Sequence, residues 1–149
     1  MKTDEIVKAL KEIPLFMDCS PETLRAISKI AIEYNCEKGQ MLYHVGDAAD
    51  NLYVLVNGIV TFKTKSVLNY LNVQQVMGRA IIFGWAAVLS NSPKRVGTAQ
   101  CLENSTILAI NGRQLLDTLE NDPKSGFLVM KQMCAVIANT FAEKSEPGL

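Results

Sequence analysis

The sequence predicts a mainly β protein with flanking helices: a double-sheet roll preceded by two helices and followed by a helix pair. Three observations carry that prediction. Between about residues 30 and 110, apolar residues recur at every second position in short runs, the period of a half-buried strand. The runs are separated by turn chemistry at Glu37-Lys38-Gly39, Gly46-Asp47 and Asn57-Gly58, so the strands are short and fold back on one another. The helical period appears only at the two ends of the chain.

The first helix is expected over residues 4–12, where Ile6, Val7, Leu10 and then Ile13 fall at helical spacing and Pro14 ends the run. Ser20-Pro21-Glu22 opens a second helix, with a hydroxyl cap, a proline at the first helical position and an acid in the first turn. That helix carries Leu24, Ile27 and Ile30. Strands then follow. Ile30, Ile32, Tyr34 and Cys36 share one face of the first, and Met41 to His44 makes the second. Asn51 to Val56 and Ile59 to Lys63 flank Asn57-Gly58, which reads as a hairpin because both residues tolerate positive φ. A fifth strand is expected over Val67 to Val73, and closing strands over Thr98 to Cys101 and Thr106 to Ile110.

The last two helices follow. Asn111 with Gln114 is a capping-box variant, with Leu115, Leu116 and Leu119 turned inward. Asp122-Pro123 starts a helix over about 123–143, and Phe127, Leu128, Val129, Met130, Met133, Val136, Ile137 and Phe141 give it a broad apolar surface. A surface wider than packing on a roll requires points to a second copy, hence to a homodimer through the C-terminal helix.

Composition excludes several function classes. The chain has 149 residues, enough for one domain with a core, and a formal net charge of zero, which gives no electrostatic case for nucleic acid or an anionic membrane surface. No apolar run approaches the roughly 18 to 20 residues of a membrane span, and the N-terminus has no signal-peptide pattern, so a cytoplasmic location is expected. Cys19, Cys36, Cys101 and Cys134 lie far apart in sequence, and His44 stands alone, which argues against a metal or haem site and against a cupin-like metalloenzyme. No nucleophile–base pair stands out, so a non-enzyme is expected.

One stretch carries chemistry. Ile82-Phe83-Gly84-Trp85-Ala86-Ala87-Val88 reads as a tight glycine turn entering a short helix, and Arg95 follows. Backbone amides beside a glycine turn and a planar guanidinium together suit a phosphate. The plain alternative is a buried turn with a surface arginine.

The chain resembles the cyclic-nucleotide-binding domain family over roughly Ile13 to Phe141. The resemblance rests on Gly39-Gln40-Met41-Leu42-Tyr43-His44-Val45-Gly46-Asp47, on Leu52-Tyr53-Val54-Leu55-Val56-Asn57-Gly58, and on Phe83-Gly84, Arg95 and Asp122-Pro123. It implies a single domain, 1–149, built as a jelly-roll (double-stranded β-helix) β-roll. It also implies a ligand site at Phe83, Gly84, Trp85, Ala86, Ala87, Arg95, Val96 and Thr140, with Thr140 offering a last-helix hydroxyl to a base.

Three departures set this chain apart. Trp85 stands where the family has a ribose-binding glutamate, and Val96 where it usually has a small hydroxyl residue. Two residues are added between Gly78 and Gly84. The expectation is therefore a sensing module for a cyclic nucleotide or another phosphate-bearing small molecule, with weak or absent binding of ordinary cyclic AMP. The alternatives are a non-sensing dimerisation or protein-interaction module, and the sensor half of a transcription regulator. A DNA-reading helix-turn-helix after the last helix is missing from these residues, so no DNA binding by this chain alone is expected.

Overall fold

The computed structural model describes residues 1–65, 72–77, 81–89 and 93–145, with side chains throughout except at 64–65, 72–77 and 140–145. Two helices lead, α1 (Thr3–Lys11) and α2 (Pro21–Ile30). Ser20 caps α2 by accepting from the Thr23 amide at 3.2 Å. Eight strands follow: β1 (Ala31–Cys36), β2 (Met41–Tyr43), β3 (Asn51–Asn57), β4 (Val60–Lys65), β5 (Asn72–Met77), β6 (Ile81–Phe83), β7 (Thr98–Cys101) and β8 (Ser105–Asn111). A single 3₁₀ turn, Trp85–Val88, lies between β6 and β7. The chain closes with α3 (Gly112–Glu120), capped by Asn111 accepting from the Gln114 amide at 3.0 Å, and the long α4 (Pro123–Ser145).

The strands form two antiparallel four-stranded sheets, ordered β1-β8-β3-β6 and β2-β7-β4-β5. Strands β3 and β8 are buried on both faces. Leu52, Val54, Leu108 and Ile110 pack under the helices with Leu10, Phe16 and Ile27. Leu55 and Ile107 turn the other way, to meet Val60, Phe62, Ala99 and Cys101 between the sheets. That double burial explains why these two strands read as nearly continuous apolar runs. On β1, Ile32 and Tyr34 stay exposed although they share a face with buried Cys36.

Two local expectations change. Asn57-Gly58 does not join paired strands: β3 lies beside β8 and β6 in one sheet, and β4 lies in the other. The turn is a corner between sheets. Gly58 has φ 116°, and a Cβ there would come within 2.1 Å of the Ser105 hydroxyl oxygen, which accepts from the Ile59 amide. The fifth strand runs over Asn72–Met77, later than the expected Val67 to Val73, of which residues 67–71 lie outside the described residues.

A polar knot ties the helices at one end. Asp122 Oδ2 accepts from the hydroxyls of Ser20 at 2.8 Å, of Thr23 at 2.7 Å and of Ser125, and Oδ1 accepts from the Ser125 amide at 3.4 Å. These bonds fix the start of α4 against the start of α2. At the other end of the helix layer, Gly112 lies so close to the 3₁₀ turn that a Cβ would meet the Ala87 carbonyl oxygen at 2.1 Å.

Candidate functional site

Gly84 follows β6 with φ 76° in the left-handed region and starts the 3₁₀ turn. A side chain there would be strained, and its Cβ would stand 2.9 Å from Arg95 Nη1 and 3.0 Å from the Tyr53 ring. Arg95 arrives from the opposite side. Its amide donates to the Asp47 carbonyl at 2.8 Å, and its own carbonyl accepts from the Gly46 amide at 2.9 Å, so the Gly46-Asp47 turn holds its backbone.

The Arg95 side chain runs into the roll and is only 4% exposed. Nη1 donates to the Gly84 carbonyl at 3.0 Å and Nη2 to the Asn51 carbonyl at 2.7 Å. The guanidinium carbon lies 4.1 Å from the centre of the Tyr43 ring and 5.4 Å from that of Tyr53. Tyr53 stacks on Phe83 at 5.2 Å and on Tyr43 at 5.9 Å. The cation therefore sits in an aromatic box closed by two neutral carbonyls.

No ion pair among the described residues involves Arg95. Its Nε and the Tyr43 hydroxyl are buried without a hydrogen-bond partner. Burial drives the Tyr43 hydroxyl well above the ordinary tyrosine pKa, with the Arg95 charge opposing it in part, so Tyr43 stays neutral. Removing a guanidinium from water costs several kcal/mol. The ring face returns about 2 kcal/mol and each charge-assisted bond about 1.5–3 kcal/mol. The charge is tolerated, and an anion would improve its surroundings.

Space is the opposing fact. A cavity of about 10 Å³ beside Arg95, lined by Tyr43, Phe62, Gly84, Trp85 and Ala86, holds roughly one water. The orphaned Nε and hydroxyl suit a polar anionic group, and this one cavity among the described residues is too small by itself for a nucleotide. The predicted residues do converge: Phe83, Gly84, Trp85, Ala86, Ala87 and Arg95 form one neighbourhood. Ala86 and Ala87 are buried against Ala49, and the Ala87 amide already donates to the Gly84 carbonyl at 3.4 Å. Trp85 is half-buried and packs against the helix-side core as well as lining the cavity. Val96 is 46% exposed at the cavity rim. The Thr140 side chain lies outside the described ones.

Sequence reasoning did not single out Tyr43, Asn51 or Tyr53 as partners of the arginine. In the sequence they are ordinary strand residues. The only available signal is that Tyr43 and Tyr53 flank the Gly46-Asp47 turn that also anchors Arg95. Among the described residues no group of His, Cys, Asp and Glu is placed to hold a metal ion, and no helix is long and apolar enough to cross a membrane.

Comparison with known proteins defines the class. The cyclic nucleotide-binding domain model matches residues 33–122, more than half of the chain. The chain is 30% identical over 117 residues to the cAMP-dependent protein kinase type II regulatory subunit of Drosophila melanogaster, covering 76% of this chain and 29% of that protein. The chain therefore spans less than a third of that relative. In structure it is similar to the sensor domain of the transcriptional regulator DNR from Pseudomonas aeruginosa, with a TM-score of 0.76 at 19% identity, covering 95% of this chain and 94% of the other. It is similar also to the catabolite activator protein of Thermus thermophilus, with a TM-score of 0.71 at 21% identity, covering 88% and 59%. This chain belongs to the cyclic nucleotide-binding domain family.

Proposed function

We propose that the chain is a regulatory sensing domain for an anionic, phosphate-bearing small molecule, with Arg95 as its anion receptor and the described conformation as the closed, ligand-free form. The observation that carries this reading is a buried arginine held by two neutral carbonyls and an aromatic face, with no carboxylate paired to it among the described residues. An arginine kept for structure alone is ordinarily given a counter-charge when it is buried. A group larger than a water fits the cavity between Tyr43, Trp85 and Arg95 only if one of those rings moves, and Phe83, Gly84, Ala86, Ala87, Val96 and Thr140 complete the proposed site. The family relatives include a cAMP-dependent kinase subunit. Trp85 replaces a ribose-binding carboxylate here, and the loss of one such bond costs at least about tenfold in affinity. Weak cyclic AMP binding is therefore expected. The broad apolar surface of α4, on which Phe127 is 68% exposed, supports a dimer through that helix.

A second reading is favoured by the 10 Å³ cavity: the roll has filled its ligand space with aromatic rings, and Arg95 only clips Gly84 to Asn51. A thermal-shift panel separates the two, with cyclic AMP, cyclic GMP, linear and cyclic dinucleotides and phosphometabolites run on wild type and Arg95→Lys. A ligand at 100 times its Kd adds about 2.7 kcal/mol, about 5–10 °C for a chain of this size. A shift in wild type that is lost in Arg95→Lys supports sensing. A flat panel supports the filled roll.

A further inference from the structure

The register of the first sheet sets two rows of side chains across it. Tyr34 pairs with Ile107 and Ile107 with Leu55; one step along, Ile32 pairs with Ala109 and Ala109 with Tyr53. Directly paired residues share a face, and Leu55 and Ile107 place this face between the sheets. The filling of that face is uneven. Leu55, Ile107 and Ala109 are buried, Tyr53 is half-buried, and Ile32 and Tyr34 are 57% and 49% exposed. The interior of the roll therefore opens toward β1.

The opening is a cleft of about 170 Å³. Tyr34, Tyr53 and Ile107 line it from the first sheet, and Met41 and Leu42 from the second, with Gln40 beside them. None of the described lining residues carries a charge. Gln40 uses its side-chain oxygen to accept from the Glu37 amide at 3.1 Å, which leaves its amino group for an occupant. The cleft shares no lining residue with the cavity beside Arg95. Tyr53 stands between the two: its ring lines the cleft, stacks on Tyr43 at 5.9 Å, and has the Arg95 guanidinium 5.4 Å from its centre.

The geometry points to this cleft as a second small-molecule site, one that takes a neutral single-ring aromatic compound with one hydrogen-bonding group, of the phenol class. Three features select that chemistry. An apolar cavity of about 150 Å³ accepts one benzene ring, and this cleft is of that size. Two tyrosine rings and the Met41 thioether attract an aromatic ring, whereas no charged side chain is present to offset the desolvation of an ion. The Gln40 amino group gives one polar substituent a partner. The site does not depend on the role proposed for Arg95. An occupant resting on Tyr53 would nonetheless press on a ring of the Arg95 box.

The test titrates para-fluorophenol into the full wild-type chain and follows it by fluorine NMR. The probe is neutral at pH 7, because phenols of this class ionise at about pH 10. The expected result is a saturable shift with a Kd of about 1 mM, the scale of one ring buried against the cost of association. In the same titration the labelled methyl resonance of Met41, identified by its absence in Met41→Leu, should move with the same midpoint. Met41→Trp, which fills the cleft from a position 37% exposed, should abolish the fluorine shift. The anionic analogue para-fluorobenzoate should give none. The proposal is overturned if para-fluorophenol shows no saturation by about 10 mM, or if the Met41 methyl stays still while the probe binds. It is overturned equally if para-fluorobenzoate binds as tightly, which would assign the ring to the Arg95 cavity. The methyl measurement needs no substitution in the core, and a negative result leaves the outcome of the phosphate panel untouched.

Discussion

Asp122 and Arg95 each bring a charge to the packed part of the molecule, and their surroundings differ in kind. Three hydroxyls and an amide converge on Asp122: those of Ser20 and Thr23 tie it to the start of α2, and those of Ser125 cap the start of its own helix, α4. Arg95 has two carbonyls that would be content with neutral donors, an aromatic face and an unused Nε, and the Tyr43 ring against it carries an unused hydroxyl. A charge whose hydrogen-bonding capacity is met within the fold is a fastener. A charge left partly unmet at a wall of aromatic rings is the kind that a solute can complete.

The largest effect should follow removal of the fastener. Asp122→Ala strands the buried Thr23 and Ser125 hydroxyls, which are 5% and 3% exposed, and should lower the unfolding midpoint more than any change at Arg95. Its pH dependence has a defined sign. The three hydroxyls hold the Asp122 carboxyl well below its ordinary value of 3.8, so its share of stability is complete above that value and is lost only as pH falls through the lower, folded-state value. The difference in denaturant midpoint between wild type and Asp122→Asn should be constant from neutral pH to about pH 4 and shrink below it. A difference that fades between pH 7 and pH 5 would break the comparison.

Arg95→Ala comes next. The Gly84 and Asn51 carbonyls lose their donors, but an expensive buried charge disappears with them, so a loss of about 1–3 kcal/mol is expected in urea unfolding. A loss well beyond that would make Arg95 a fastener too. The smallest effect concerns ligand choice. Trp85→Glu places a carboxylate beside the glycine turn and, on the proposed reading, should improve cyclic AMP binding by about tenfold or more in calorimetry, at some cost in packing because Trp85 rests on the helix-side core. No gain in affinity would place the obstacle in the Tyr43 ring.

The sequence carried the architecture further than the site. Alternation and glycine turns located the strands, because period and φ are local properties. Asn57-Gly58 was misleading for the same reason: a turn signal says that the chain bends, not which sheet receives the next strand. Gly84 and Arg95 were legible as a pair because glycine and arginine each have a distinctive chemistry. The Tyr43–Tyr53 box was not, because its rings come from two strands remote in sequence from Arg95, and strand tyrosines have many uses. Nor does any local pattern disclose a cavity reduced to 10 Å³, a property of how six or seven side chains meet.

The missing side chain at Gly112 has a mechanical consequence. With the Ala87 carbonyl seated where a methyl group would be, the glycine turn and the first residue of α3 touch backbone to backbone. Side chains can absorb a displacement by changing rotamer, whereas two peptide planes in contact cannot. The junction is therefore a direct backbone seat between the Trp85–Val88 turn and the root of α3, with no side chain at Gly112 to take up a shift of the turn.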